Sequence, residues 1–119
     1  MDKTVLGRWG EAQTADYLRK QGYELLASSY RCRFGEIDLI AAKGGILAFV
    51  EVKLRKDGTF AQPREFVDAR KQSRIRTTAE CYLAETGSPL QPRFDVAEVY
   101  APEGVNTTKP ILTYYENAF

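Results

Sequence analysis

The sequence predicts a single α/β domain over residues 1–119, in which two amphipathic helices flank a sheet built around a tight hairpin. Three observations carry this. Apolar residues recur every three or four positions over 4–21 and again over 68–85, the period of a helix with one packed face. Two runs of β-type residues, 36–42 and 46–54, flank Gly44-Gly45, a dipeptide that can supply the positive φ angles of a two-residue hairpin turn. Finally, 119 residues suffice for one hydrophobic core and fall short of two ordinary ones.

The first helix is expected over 4–21, with Val5, Trp9, Ala12, Ala15 and Leu18 as its packing stripe and Gly22 as its stop. Glu11 falls on that stripe, four residues before Ala15 and seven before Leu18. Spacing alone leaves two readings open: a buried carboxylate that needs a partner, or an edge residue reaching water or an arginine. Residues 23–30 read as a first strand, and the hairpin of 36–42 and 46–54 follows. Gly58 to Pro63 reads as a loop, with Pro63 a candidate for the start of a turn. The second helix is capped by Asp68, runs to about Glu85 and stops at Gly87 and Pro89. Its stripe is Ile75, Ala79 and Leu83. Gln72 extends that stripe by one turn, where a glutamine either faces the sheet or serves backbone donors and water at the helix start. Strands over 94–100 and 111–115 complete the fold, and 101–108 reads as a flexible loop.

The hairpin carries the chemistry. Its first strand alternates Ile37, Leu39 and Ala41 with Glu36, Asp38 and Ile40, while Glu51 and Lys53 share one face of the second. A Gly-Gly turn sets Asp38 opposite Glu51 and Glu36 opposite Lys53. Opposed residues have Cβ atoms about 4.5–5.5 Å apart, and like charges so placed repel, so facing carboxylates require a cation. Mg²⁺ fits, since it takes carboxylate oxygens at about 2.0–2.1 Å and keeps several waters, with Mn²⁺ as the alternative. Lys53, roughly 7 Å along the strand from Glu51, is in reach of a ligand on that metal. A solvated face bearing ordinary charges is the competing reading. Ile40, Leu47 and Phe49 share the face and weigh against it.

Composition narrows the classes further. Apolar residues make up 44% and charged residues 28%, the balance of a soluble globular protein. No apolar run approaches the ~20 residues of a membrane span and no signal-peptide core is present, so a cytoplasmic protein without membrane partners is expected. Cys32 and Cys81 form neither a disulfide framework nor a zinc cluster and are expected as free thiols. The absence of histidine removes Ser-His-Asp triads and most catalytic zinc sites, which leaves carboxylates, lysine and metal. A net charge of +1 does not by itself point to nucleic acid. Locally, Arg64, Arg70, Lys71, Arg74 and Arg76 face only Glu65 and Asp68, and Arg55 and Lys56 lead toward them. Such a rim beside the carboxylates suits a phosphate backbone, with Arg55, Arg70, Lys71 and Arg74 as its contacts, although a solvated helix face gives the same pattern.

Asp38 with Glu51-Val52-Lys53 resembles the PD-(D/E)XK nuclease superfamily, except that Ile37 stands where the superfamily's proline would be. More narrowly, G-R-W-G-E-x-x-x-A, Y-R-C-R-x-G-E-I-D-L-I-A, F-V-E-V-K-x-R, the K-Q-x-R-I helix, R-F-D-V and the final N-A-F resemble the bacterial YraN-like family of predicted endonucleases, over nearly the whole chain. The resemblance implies a restriction-endonuclease-like αβββαβ core, a mixed central sheet flanked by two helices, with an extra C-terminal strand. It also implies a Mg²⁺ site held by Asp38, Glu51, the Val52 carbonyl and, directly or through water, Glu11. Lys53 would orient or help deprotonate the attacking water, and Gln72 matches an auxiliary position of some relatives. A likeness to archaeal Holliday junction resolvases implies DNA as the substrate, branched or single-stranded, in recombination or repair, and admits a symmetric homodimer. Beside this endonuclease stands the alternative of a non-catalytic nucleic-acid-binding or protein-interaction module on the same fold.

Overall fold

A computed structural model describes residues 4–57 and 67–119. The loop expected from Gly58 to Pro63, and Arg64 and Glu65 after it, lie outside the described residues. Helix α1 (Val5–Lys20) begins at Thr4, whose hydroxyl accepts the Gly7 N–H at 3.0 Å, and the chain leaves it through Gln21 and a left-handed Gly22. Strands β1 (Glu24–Cys32), β2 (Gly35–Lys43) and β3 (Ile46–Arg55) follow as an antiparallel meander. Helix α2 (Ala69–Thr86) is capped by Asp68, whose carboxylate accepts the Lys71 N–H at 2.8 Å, and closes on a left-handed Gly87. Strands β4 (Gln91–Tyr100) and β5 (Ile111–Tyr115) complete one five-stranded sheet in sequence order.

Neighbouring strands are antiparallel except β3 and β4, which run parallel because a helical crossover joins them. The result is a mixed α/β fold of one mixed sheet and two helices. The turn between β2 and β3 is the expected one, with Gly44 and Gly45 both at positive φ, and it sets Lys43 against Ile46 and Leu39 against Val50. The 101–108 segment contains a short 3₁₀ turn at Gly104–Asn106. Among the described residues no helix is long and apolar enough to cross a membrane.

Each helix covers one face of the sheet. Leu39, Ala41, Ala48, Val50 and Ala97 pack with Ala15 and Leu18 of α1, whereas Ile40, Leu47, Phe49 and Val96 pack with Ile75 and Ala79 of α2. The stripe on α1 differs from the expected one. Val5 is 73% exposed and Ala12 is exposed, while Gly10, Glu11, Thr14, Ala15 and Leu18 are buried. Gly10 explains the rotation: a Cβ there would come within 2.9 Å of Leu54 Cδ2, so the helix settles onto β3 along its glycine rather than its larger residues. This choice carries Glu11 inward.

A polar knot closes the α1 side. Asp95 of β4 is completely buried and accepts hydrogen bonds from Arg93 Nε at 2.9 Å, the Tyr114 hydroxyl at 2.6 Å and the Asn117 N–H at 2.9 Å. Arg93 also donates to the Tyr23 hydroxyl at 2.6 Å. One carboxylate thus ties β4 to β5, to the last residues and to the start of β1. Removing one partner of such a buried charge pair costs about 3–5 kcal/mol, because the other charge is left without compensation. Asp95→Ala is therefore expected to lower unfolding free energy by about that amount, as read by denaturant titration, with Asp95→Asn losing less.

Candidate functional site

At the end of the hairpin away from its Gly-Gly turn, β2 and β3 part. Their pairing stops at Leu39↔Val50, so the expected backbone pairs of Asp38 with Glu51 and of Glu36 with Lys53 do not form. The reason is a side chain. Asp38 Oδ2 takes the Val52 N–H at 2.8 Å, occupying the acceptor position that a β2 carbonyl would fill in a continuing ladder. Glu36 instead pairs with Arg31 across β1 and β2, at 3.4 Å.

The carboxylates of Asp38 and Glu51 still meet, and they meet in a nearly dry place. They are 9% and 8% exposed and line a small cleft with Glu36, Ile37, Val50 and Ile75. Burial and the adjoining Asp38 carboxyl push the Glu51 pKa up to about 8, against a downward pull from Lys71. Lys71 reaches in from the first turn of α2, with Nζ at 2.9 Å from Glu51 Oε2. Burial works against its charge, but the hydrogen bond and field of Glu51 outweigh this and raise its pKa. Lys53, half-buried, is shifted downward by burial and then by the neighbouring Lys71 ammonium. Two carboxylates and two ammonium groups thus form one compensated cluster on the α2 face.

The other expected residues fall in three places. Glu11 is buried on α1, the opposite face, where Ser29 Oγ donates to Oε1 at 3.4 Å. Ser29 has φ +51 and lies between Ser28 and Tyr30, which pair with Leu39 and Ile37, so it sits across the strands from Asp38. Glu11 and Ser29 line a separate cleft of about 610 Å³ between α1 and β1. Among the described residues no three acidic, thiol or imidazole groups gather closely enough to hold a metal ion. Gln72 turns back along the chain, and its Nε2 donates to the Val67 carbonyl at 2.8 Å; it tethers the helix start rather than facing the carboxylates. Val52 contributes backbone to the gap between β2 and β3.

Of the four expected phosphate contacts, Arg70 and Arg74 are exposed and one turn apart on α2. Arg55 is not in that position: its side chain is 16% exposed, with NH2 at 3.3 Å from Glu98 Oε1 and the guanidinium 4.8 Å from the Tyr100 ring centre. Lys71 belongs to the carboxylate cluster itself. Glu98 is the residue that sequence reasoning missed. It is 4% exposed, pairs in register with Lys53 across β3 and β4, and follows Phe94 and Val96 on the α2 face. The signal was present, as a carboxylate at an apolar position of an alternating run, the same signal that singled out Asp38.

The raised Glu51 pKa makes a stability prediction with a definite sign. An unfolded glutamate ionises near 4.5, whereas the folded one keeps its proton to about 8. The favourable contribution is full below pH 4.5 and is lost as pH rises toward 8, because the unfolded state ionises first. Unfolding free energy measured across that window should decline more steeply for the wild type than for Glu51→Gln, by on the order of a few kcal/mol in total. Equal slopes would show that Glu51 is ionised throughout.

Residues 10–99 match the model of the uncharacterised protein family UPF0102. The chain is 41% identical over 121 residues to a UPF0102 protein of Caldanaerobacter subterraneus subsp. tengcongensis, covering 100% of this chain and 98% of that one. It is 42% identical over 119 residues to a UPF0102 protein of Nocardia farcinica, with 99% and 91% covered. A UPF0102 protein of Symbiobacterium thermophilum is 48% identical over 101 residues, with 83% and 86% covered. Near full-length similarity to proteins of this kind bears out the YraN-like resemblance carried by the spaced motifs, and the chain belongs to the uncharacterised protein family UPF0102.

Proposed function

We propose that this protein is a metal-dependent endonuclease of restriction-endonuclease-like fold that hydrolyses phosphodiester bonds in DNA. The observation that carries this reading is the buried meeting of Asp38 and Glu51 where β2 and β3 part, with Lys53 two residues further along the same strand. The donor set fits a hard divalent cation such as Mg²⁺ or Mn²⁺, which takes carboxylate and carbonyl oxygens. Val52 supports the fit from the backbone. In a strand the N–H and C=O of one residue point to the same edge, so a carbonyl whose N–H meets Asp38 opens toward the same gap. A cation held there would supply Lewis acidity toward a phosphate oxygen and the attacking water.

The protein's own residues do the remainder. Asp38 and Glu51 would hold the cation with the Val52 carbonyl. Lys53, whose lowered pKa eases proton exchange, orients the attacking water and offsets charge on the pentacovalent phosphorus. Lys71 holds Glu51 through the 2.9 Å contact of its Nζ, and its flexible stem would allow the ammonium to turn to a phosphate oxygen once Glu51 is otherwise engaged. Arg70 and Arg74 extend the cationic path on α2. Glu11 lies on the opposite face at Ser29, so any part it takes in holding the cation would run through water, and Gln72 contributes by fixing the helix start that presents Lys71.

A non-catalytic nucleic-acid-binding or protein-interaction module has one observation in its favour, since Lys71 already compensates Glu51 without a metal. The two readings separate experimentally. The full chain with Mg²⁺ or Mn²⁺, challenged with single-stranded, branched and duplex DNA and with RNA, is expected to cut at least one substrate. Asp38→Ala and Glu51→Ala should each lower the rate by 100-fold or more, on the order of 3 kcal/mol of barrier, and cutting that survives both changes would sink the assignment. Lys71→Ala should bind Mn²⁺ several-fold more tightly by calorimetry, because the competing ammonium is gone. Unchanged affinity would show that Lys71 and the cation do not share the site.

A further inference from the structure

The turn that joins β1 to β2 presents a feature that neither the carboxylate cluster nor the fold requires. Phe34 is 42% exposed at the tip of this turn, the only aromatic residue among the large apolar side chains left exposed in the described residues. A phenylalanine in this position adds nothing to the core. The Arg33 guanidinium lies 4.8 Å from its ring centre, and Arg31 is exposed two residues earlier. The backbone that carries the ring is fixed: Phe34 N–H donates to Cys32 Sγ at 3.4 Å, and Cys32 pairs with Gly35. A hollow of about 300 Å³ lies at the turn, lined by Arg31, Cys32, Arg33, Phe34, Gly35 and Glu36. Helix α2 closes on the same place, since a Cβ on Gly35 would meet Thr78 Oγ1 at 3.1 Å and Arg74 Cβ at 4.0 Å.

We propose that this turn is a base-stacking site, at which an unpaired nucleobase lies on Phe34 beside the Arg33 guanidinium. The inference rests on the nucleic-acid reading above and narrows its substrate to DNA with a single-stranded segment. Aromatic rings with adjacent arginines bind bases through their π-faces whatever the sequence, and paired bases cannot offer those faces. Charge selects the occupant. The Arg33 guanidinium lies over the ring, Arg31 lines the same hollow and Arg74 Cβ approaches Gly35, against one acid there, Glu36; this excess of cations suits a polyanion and disfavours an apolar peptide or a second copy of the same surface. Position agrees as well. Phe34 precedes Asp38 by four residues along β2, about 13 Å of extended chain, or about four nucleotides at 3.4 Å per stacked base. A strand stacked on the turn therefore passes the carboxylates a few nucleotides away.

The test uses the full chain in EDTA, where no cutting occurs, with fluorescein-labelled dT₁₂ and a blunt 12-base-pair duplex at fixed salt. Phe34→Ala and Phe34→Leu should both weaken dT₁₂ binding by about fivefold or more, since both lose the π-face, and leave duplex binding within about twofold. Phe34→Trp should retain affinity and add a fluorescence component quenched by dT₁₂, beyond any signal from Trp9. Melting temperatures near wild type would confirm that each variant is folded. Binding of dT₁₂ that Phe34→Ala leaves unchanged overturns the stacking site and leaves the nucleic-acid reading standing. Failure of the wild type to bind either probe overturns both. Loss with alanine but retention with leucine, or a Phe34-dependent dimer in sedimentation, assigns the turn to a protein contact and overturns the proposal.

Discussion

One hydrogen bond governs the geometry of this molecule, the one from the Val52 N–H to Asp38. It ends the β2–β3 ladder at Leu39↔Val50 and holds the strands apart without leaving a buried backbone donor unsatisfied. A carboxylate replaces a carbonyl there, and that substitution places negative charge inside the sheet. Everything nearby answers to it. Glu51 is held toward its neutral form, Lys71 enters from α2, and Lys53 loses basicity through burial and the Lys71 ammonium, against the pull of the two carboxylates. A buried unpaired charge is expensive, so the cluster exists as a set or not at all.

The two faces of the sheet divide the labour. On the α1 side Asp95 is buried and served by Arg93, Tyr114 and Asn117, so its charge is saturated and has only a fastening role. On the α2 side the charges form a row across the ends of the parallel strands. Glu51 is followed by Lys53, Lys53 by its register partner Glu98, and Glu98 by Arg55. Each member has an opposite charge beside it. The Lys53 ammonium itself is set by burial and by Lys71, Glu51 and Asp38, which act on it from the carboxylate cluster.

Much of this was legible in the sequence, for physical reasons that can be named. Gly44-Gly45 fixed the turn because few dipeptides adopt two positive φ angles, and Asp68 and Gly87 marked α2 because capping is a local matter. Asp38, Glu51 and Lys53 stood out because alternation forced charge onto a face shared with Ile40, Leu47 and Phe49. Other features depend on tertiary approach. The α1 stripe rotated because Gly10 lets the helix close on Leu54, a contact that no hydrophobic count weights. Arg55 read as a phosphate contact because nothing local reveals that Glu98, forty-three residues later, lies beside it. Lys71 likewise read as part of a basic rim, and only the path of α2 across β2 turns it inward.

The near-zero net charge takes on a different meaning in this light. A charge of +1 overall does not by itself point to a polyanion, yet much of the chain's acidity is internal: Glu11, Asp38, Glu51, Asp95 and Glu98 are all buried. Of these, Glu51, Asp95 and Glu98 are paired with Lys71, Arg93 and Arg55, and such pairs contribute little field at a distance. What an approaching phosphate meets is the exposed set, and around the β1–β2 turn and the start of α2 that set contains Arg31, Arg33, Arg70 and Arg74. Electrostatic attraction acts over about 8–10 Å at ordinary salt, so it samples this local surface rather than the whole chain. The same burial that creates the carboxylate site therefore unmasks the basic rim beside it, and the two features are consequences of one arrangement.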